Sequence, residues 1–261
     1  MPTRGARGPW LWPLGLAVIG IILLLNNFLL LGDFNVGNLW PLLLVALGAA
    51  VLLRGDFVPS SDARTFGITR GSVESATLEI NAAEIDVVIR SLQHEGRLIA
   101  GQYAVSSRPA LRVGDTHAHL KMDRAGTPWL SFADWELGLA QDLPWQVYIS
   151  TSLGQANLNL SGLIVQEASI STGFGDIRLV CPNEALGAIR LRSALGNMHL
   201  VSPMGCAARV HVSGSRLLSV HVDEHRYEQI EPQVYLARDA QAGAPEMEVH
   251  ISGTFGNVYL T

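Results

Sequence analysis

The chain has 261 residues, of which 48% are hydrophobic and only 16% charged, and its formal net charge is −5. This mildly acidic balance argues against nucleic-acid binding, which calls for a basic surface. Two cysteines, Cys181 and Cys206, are too few for a disulfide framework, and we expect both to be free buried thiols.

Two uncharged apolar runs open the chain. Pro9–Leu31 is long enough to cross a bilayer as a helix at about 1.5 Å per residue. Leu39–Leu53 spans only roughly 22 Å as a helix, so flanking residues or local thinning of the bilayer must complete the crossing. Both runs contain the string Leu-Trp-Pro-Leu near their start. We therefore predict a two-helix transmembrane hairpin over residues 9–54.

Arginines flank both ends of the predicted hairpin, but none lies in the connection between its two helices. Arg4 and Arg7 lie in the N-terminal tail, residues 1–8, and Arg54 follows the second run, whereas the connection between the runs has none. The positive-inside rule then places both chain termini, and with them everything after the hairpin, in the cytoplasm. The expected localisation is a two-pass protein of the cell membrane.

The rest of the chain reads as a linker, residues 55–75, followed by a β domain, residues 76–261. Segments Leu98–Val105 and Ala110–Lys121 resemble strands. A terminal unit of a stacked fold must cover its open core, and we expect aromatic side chains to do so. The candidates for this cap are Trp129, Phe132, Trp135 and Trp145.

An internal repeat dominates the β domain. Four segments superpose on a central glycine, and the first three glycines are 21 residues apart: Gly154, Gly175, Gly196 and Gly256. Apolar residues alternate on both sides of each glycine, which indicates a strand, a turn and a second strand. Such a unit cannot bury its apolar face alone, so the units must stack.

Stacking predicts columns of equivalent residues. Leu158, Leu179 and Leu200 should form a core column, whereas Gln155, Asp176 and Asn197 should form a polar ladder along one edge. The fold class is therefore mainly β: a β-solenoid or a closely related stacked sheet.

Less regular copies flank the clear repeats. An upstream copy fits with Ala83 in the place of the glycine. Arg209–Val222 is strand-like, with a register ambiguous by one residue that a bulge near Gly214 explains. Residues 223–246 are polar, and we expect an irregular rung or a long loop there.

The quoted residues resemble known bacterial proteins. The paired Leu-Trp-Pro-Leu spans resemble the LiaI/LiaF-like transmembrane region, and the segment from Trp135 through Leu200 is similar to the toast-rack domain of LiaF-like proteins. The matching strings include Trp135-Glu136-Leu137, Leu153-Gly154, Leu158-Asn159-Leu160, Phe174-Gly175-Asp176-Ile177 and Leu179-Val180-Cys181-Pro182. The resemblance implies a membrane-attached, non-catalytic protein of the bacterial envelope and, in some relatives, restraint of a sensor histidine kinase.

One string matches a catalytic motif. His221, Glu224 and His225 fit the H-x-x-E-H pattern of inverted zinc proteases, which needs both histidines on one face of a helix. This string follows an alternating strand pattern, where the two histidines would lie roughly 13 Å apart. We therefore expect a solvated strand end and no metal. The pair His117 and His119 is expected to lie on a strand surface.

The sequence shows no nucleophile elbow, phosphate loop or CxxC pair. We expect a protein that is not an enzyme, has no cofactor, and serves as a membrane-anchored scaffold or regulator. Its partners would be the lipid bilayer and a protein, either a membrane sensor kinase or another copy of the chain. The alternatives are a self-assembling, adhesin-like surface module and, more distantly, a metal-dependent hydrolase that uses His221, Glu224 and His225.

Overall fold

The computed structural model describes residues 63–93, 96–104, 107–124, 134–238 and 246–261. All regular elements within these ranges are β-strands. The helical hairpin expected at 9–54 and the tail 1–8 lie outside the described residues. Within those ranges, no helix has the length and apolar character needed to cross a membrane.

The strands are, in chain order, β1 (Ala63–Thr69), β2 (Ser75–Ala83), β3 (Val87–Leu92), β4 (Arg97–Ala104), β5 (Ala110–Gly114), β6 (His117–Asp123), β7 (Trp135–Ala140), β8 (Pro144–Thr151), β9 (Ala156–Asn159), β10 (Ile164–Phe174), β11 (Ile177–Val180), β12 (Glu184–Ala185), β13 (Ile189–Leu195), β14 (Met198–Val201), β15 (Ala207–Gly214), β16 (Leu218–Val222), β17 (Tyr227–Glu231), β18 (Val234–Ala237) and β19 (Glu246–Leu260).

Two sheets enclose one core. Sheet A has the order β1-β4-β7-β3-β9-β11-β14-β19-β16. Sheet B has the order β5-β6-β2-β8-β10-β13-β19-β15-β18-β17, with β12 beside β10. The long strand β19 belongs to both sheets. Pairing is parallel through the middle and antiparallel at the ends, as expected for stacked units with terminal caps.

Seven rungs make up the stack, each a strand of sheet B followed by a strand of sheet A. Their spatial order is β6/β7, β2/β3, β8/β9, β10/β11, β13/β14, β19 and β15/β16. The order departs from the chain order at both ends. The last segment of the chain, β19, lies between the rungs β13/β14 and β15/β16, so both of its edges are paired.

The predicted 21-residue register is confirmed. Leu179 pairs with Leu158 on one side and with Leu200 on the other, and all three side chains are fully buried. In sheet B, Ile170 pairs with Ile149 and with Leu191. Burying a leucine or isoleucine side chain contributes roughly 1.5–3 kcal/mol, so these columns supply much of the stability.

The upstream copy has a different register from the predicted one. Val87 pairs with Ala156, and Leu78 pairs with Val147, which puts Ile85 and not Ala83 in the place of the glycine. Ala83 instead has a φ of 53° at a register shift in the pairing of β2 with β8. The positive φ of this copy therefore falls at Ala83, two residues before Ile85, which is the residue level with Gly154.

Four further expectations need correction. The linker expected over 55–75 contains β1, and β2 already begins at Ser75. Residues 110–121 form a hairpin of two strands. The irregular rung expected over 223–246 contains the hairpin β17–β18, which pairs with the outer edge of β15. The extra residue in 209–222 is accommodated by the turn 215–217, because Gly214 pairs with Gly253 whereas Leu218 pairs with Gly256.

The expected aromatic cap is wrong for Trp145, which lies two rungs inside the stack, whereas Trp135 belongs to the terminal rung β6/β7. Trp135 and Trp145 are fully buried, in β7 and β8, and Trp129 and Phe132 lie outside the described residues. Trp145 donates from Nε1 to the carbonyl oxygen of Ala140 at 2.8 Å. The antiparallel strands β1, β4, β5, β17 and β18 flank the terminal rungs instead.

Candidate interaction surface

The turns between the two strands of each rung change the direction of the side chains. Thr151 donates from Oγ1 to the carbonyl oxygen of Gly154 at 2.8 Å, and Thr172 does the same to Gly175 at 3.1 Å. The alternation of inward and outward side chains therefore ends at the threonine, three residues before the glycine. The next residue of the same parity is the one directly before the glycine. That residue faces solvent, although the period of two would have placed it in the core.

The glycines at these turns are required by close backbone contacts. Gly175 and Gly196 have φ values of 154° and 155°. A Cβ atom on Gly175 would lie 2.3 Å from the carbonyl oxygen of Gly154, and one on Gly196 would lie 2.1 Å from that of Gly175. Any side chain here would separate neighbouring rungs.

The outward residues form what we call the apolar ridge. In spatial order it consists of Leu153, Phe174, Leu195, Phe255 and Leu217, which are 46–62% exposed. Leu217 is part of the ridge because Leu218 pairs with Gly256, and this pairing sets Leu217 level with Phe255. The ridge crosses five rungs and is about 19 Å long at the spacing of β-strands.

The ridge is a concentrated patch. Ten large hydrophobic side chains are exposed among the described residues, and these five are half of them. Each contributes about 100 Å² of apolar surface, or on the order of 500 Å² together. An exposed apolar patch of this size, rimmed by polar residues, is often functional.

A polar ladder runs beside the ridge, as predicted from the repeat. The backbone N–H of Gln155 donates to Asp86 Oδ1 at 2.7 Å, and that of Asn197 donates to Asp176 Oδ1 at 2.7 Å. Asn257 donates from Nδ2 to Asn197 Oδ1 at 3.0 Å. These bonds join three pairs of neighbouring turns, and the backbone N–H of Ala156 joins a fourth pair by donating to the carbonyl oxygen of Asp176 at 3.0 Å.

One end of the ridge is acidic. Glu84, Asp86 and Asp134 line an open depression of about 260 Å³ together with Leu153 and Gln155. Glu84 is ion-paired with Arg124. Partial desolvation and the nearby charges of Asp86 and Glu136 raise the pKa of Asp134 above that of an ordinary aspartate. A cation placed here would relieve this repulsion.

The other end of the ridge carries a cation. Arg216 precedes Leu217 in the turn before β16, and its side chain is exposed. The described residues provide no ion pair to it. The ridge therefore has an acidic end beside Leu153 and a basic end beside Leu217.

The H-x-x-E-H string lies at the end of a strand and in the turn that follows it. His221 lies in β16, where its ring stacks on Tyr259 with centroids 5.0 Å apart and its Nε2 lies 3.3 Å from Asn257 Oδ1. Glu224 and His225 lie in the turn that follows. No group of three or more metal-ligating side chains that could hold an ion occurs in the described part of the chain.

The other predicted surface histidines are occupied by hydrogen bonds. His117 contacts Ser75 Oγ through Nδ1 at 2.8 Å and Thr77 Oγ1 through Nε2 at 3.0 Å. His119 contacts Glu79 Oε2 at 3.2 Å. Both lie on the outer face of sheet B, which confirms the expected strand surface.

Both cysteines are free, and Cys181 is buried as predicted, whereas Cys206 is only half-buried. Burial raises the pKa of the Cys181 thiol strongly and, less strongly, that of Cys206. Among the described residues, no cation lowers the pKa of either thiol, as a cation does for a reactive cysteine.

A solved structure shares this fold. A crystal structure of a candidate cell adhesion protein from Clostridium sporogenes matches with a TM-score of 0.63 at 15% identity, over 76% of this chain and 97% of that chain. At this identity the similarity shows a common fold alone. A candidate adhesin from Bacteroides fragilis matches 78% of this chain and 99% of that chain at 9% identity, with a TM-score of only 0.31. One from Parabacteroides merdae matches 77% and 98% at 8% identity, with a TM-score of 0.24.

No curated protein matches the sequence significantly. Residues 64–196, half of the chain, match the Toast_rack_N family, described as the N-terminal domain of toast_rack, DUF2154. The match covers β2 through β13, including the rungs centred on Gly154 and Gly175. The resemblance inferred from the glycine spacing is thus confirmed for the β domain, and the chain belongs to the toast-rack family.

Proposed function

We propose that this protein is a membrane-anchored, non-catalytic scaffold or regulator of the bacterial cell envelope that acts through protein–protein contacts of its β-stack. The observation that carries the proposal is the apolar ridge, a continuous exposed stripe on a rigid stack. A stripe with polar and charged residues along its margins has the composition of a protein interface, with an apolar centre and a polar rim.

The rigidity of the stack supports this role. The ridge side chains stand on rungs tied by parallel backbone pairing and by the Asp176–Asn197 and Asn257–Asn197 bonds. A preformed surface loses little conformational entropy on binding, so even a modest area can give useful affinity. Stacked repeat proteins commonly present such extended surfaces to partners.

In this proposal the predicted hairpin over 9–54 holds the stack at the membrane, with the stack on the cytoplasmic side. Envelope-stress signalling is the proposed process, and a membrane sensor kinase is one candidate partner, both from the LiaF-like resemblance. A reporter fused after Thr261 should be active in the cytoplasm. Activity only outside the membrane would contradict the proposed topology without touching the ridge.

Site-specific photo-crosslinking tests the contact surface. A photo-reactive amino acid at Phe174 should give a defined protein adduct in membranes of the native cells, because this side chain would face the partner. The same group at Met204, which is 85% exposed but off the ridge, is the matched control. Adducts of equal yield at both positions, or none at Phe174, would count against the ridge as an interface.

Complementation tests the biological role. Cells that lack the protein should respond differently to envelope-active antibiotics, and a Leu195→Asp chain should not restore the normal response. Met204→Asp, which adds the same charge at an exposed position, should restore it. Unchanged thermal unfolding of both variants is the control for folding. Full complementation by Leu195→Asp would exclude the ridge as the functional surface.

A second candidate function is self-association. It is favoured by the order of residue types along the ridge, which is the same from either end.

A further inference from the structure

The apolar ridge reads the same from either end: leucine, phenylalanine, leucine, phenylalanine, leucine. This order exists because β19 lies between the rungs β13/β14 and β15/β16. Stacking in chain order would have put Leu217 before Phe255 and destroyed the symmetry. The two ends also carry opposite charge, with Asp134 and Asp86 at one and Arg216 at the other.

A two-fold axis at Leu195 would use both properties. Rotation about this axis sets Leu195 against its own equivalent, Phe174 against Phe255 of the second copy, and Leu153 against Leu217 of the second copy. Phenylalanine pairs prefer offset or edge-to-face contacts, which neighbouring ridges at one-rung spacing allow. Closed two-fold dimers of this kind are the commonest oligomers, and they require a self-complementary patch.

The charges fit the same arrangement. Arg216 lies at the level of the outermost ridge leucine, and an extended arginine side chain reaches across about one rung of 4.8 Å. In the antiparallel arrangement it meets the acidic end of the second copy, where Asp86 and Asp134 repel each other. Each interface then contains this contact twice, whereas a parallel arrangement would bring like charges together.

We propose that two copies of this chain associate through their apolar ridges as an antiparallel, two-fold symmetric dimer, with Arg216 of each copy at the acidic end of the other. The inference rests on the proposed use of the ridge as a contact surface and names a second copy as the occupant. The ridges together bury on the order of 1,000 Å², which is the lower limit for a specific interface. The dimer is therefore weak and depends on concentration, as suits a protein concentrated in a membrane.

Cysteine cross-linking of the full-length protein tests the register. In a Cys206→Ser background, a short bis-maleimide should link Leu195→Cys to its own equivalent, because the two Cα atoms face each other across the axis at about the 10 Å spacing of packed β-faces. Leu153→Cys alone should not, since its equivalents lie four rungs apart, about 19 Å. A mixture of Leu153→Cys and Leu217→Cys proteins should link. Met204→Cys is the off-ridge control.

Charge exchange tests the ends. Arg216→Glu should weaken association about tenfold or more by analytical ultracentrifugation, and Arg216→Glu combined with Asp86→Arg should restore it, because Asp86 lies one rung beyond Leu153. Thermal unfolding of each variant confirms that it folds. Self-linking of Leu153→Cys as efficient as that of Leu195→Cys, failure of the mixed pair to link, or no rescue by the double exchange would each overturn the dimer. If the dimer fails while Phe174 still photo-crosslinks to another protein, the contact surface stands and only the second copy is excluded.

Discussion

Asp176 accepts a hydrogen bond on Oδ1 from the backbone N–H of Asn197 at 2.7 Å, across a separation of 21 residues. The bond joins the turn of one rung to the turn of the next, beside the ridge. A carboxylate in this position satisfies a backbone donor that the strands themselves leave unpaired, as an N-cap residue does for a helix.

Replacing this acceptor should loosen two rungs at once. Asp176→Ala should lower the free energy of unfolding by about 1–2 kcal/mol, because the Asn197 N–H loses its partner. Asp176→Asn keeps an acceptor oxygen and should lose less than half as much. Urea unfolding followed by circular dichroism measures both. Equal losses for the two variants would mean that the hydrogen bond is not what matters at this position.

The core column supplies a larger effect. Leu179 is fully buried between Leu158 and Leu200, and Leu179→Ala should cost about 2–5 kcal/mol through lost burial and a cavity. Its neighbour Arg178 points to the outer face of sheet A, so Arg178→Ala should change stability by less than about 0.5 kcal/mol. Similar effects of the two substitutions would contradict the assigned faces of β11.

The turn glycines are a third test. Gly196→Ala places a Cβ atom 2.1 Å from the carbonyl oxygen of Gly175 and also requires an unfavourable φ, so it should cost at least about 2 kcal/mol. Gly114→Ala in β5 has open space around its Cβ position and should be nearly neutral. The difference in urea midpoint between these variants measures how tightly the rungs approach. A well-tolerated Gly196→Ala would exclude such close turns.

These tests separate what the sequence predicts from what it does not. Constant 21-residue spacing around Gly154, Gly175 and Gly196 predicts in-register parallel pairing, because equivalent residues can then stack without shifts. The order of the terminal rungs is not encoded in the spacing. Every open strand edge offers the same unpaired N–H and C=O groups. The spacing therefore allows β19 to lie either next to the rung β13/β14 or on the far side of the rung β15/β16.

The alternation of apolar residues does not predict the ridge, because it assigns the ridge residues to the core. Positions seven, five, three and one before each glycine have the same parity, which predicts that all face the core. The usable signal was the hydroxyl residue at the third position, Thr151 and Thr172, whose hydrogen bond to the glycine carbonyl ends the alternation. The shifted register near Ala83 has no equivalent signal, because Ile85 carries none of the usual features of a turn.

The acidic end of the ridge predicts a pH dependence. The folded state raises the pKa of Asp134, so the ionised carboxylate lowers stability above that pKa, and this penalty disappears as pH falls toward the unfolded value of about 4. Asp134→Asn should therefore raise the denaturation midpoint at pH 7, and the gain should vanish near pH 4. Titration by NMR checks the pKa directly. A variant less stable than the parent at pH 7 would contradict the assigned repulsion.

The two thiols should differ in reactivity. Cys181 is fully buried and its pKa is strongly raised, so a maleimide should not modify it until the protein unfolds. Cys206 is half-buried and should react slowly in the folded state. Mass spectrometry of the labelled protein, with and without urea, identifies the site. Rapid labelling of Cys181 under native conditions would show that the β11 end of the core is open.

The most direct test of the stack and its ridge is methyl NMR on the leucine and valine side chains of sheet A. The rung order predicts contacts from Leu200 to Leu260 and from Leu260 to Val222, with none from Leu200 to Val222. That result would establish that β19 is inserted and that the ridge has its symmetric order. A direct contact between Leu200 and Val222, with Leu260 at the end of the stack, would contradict both.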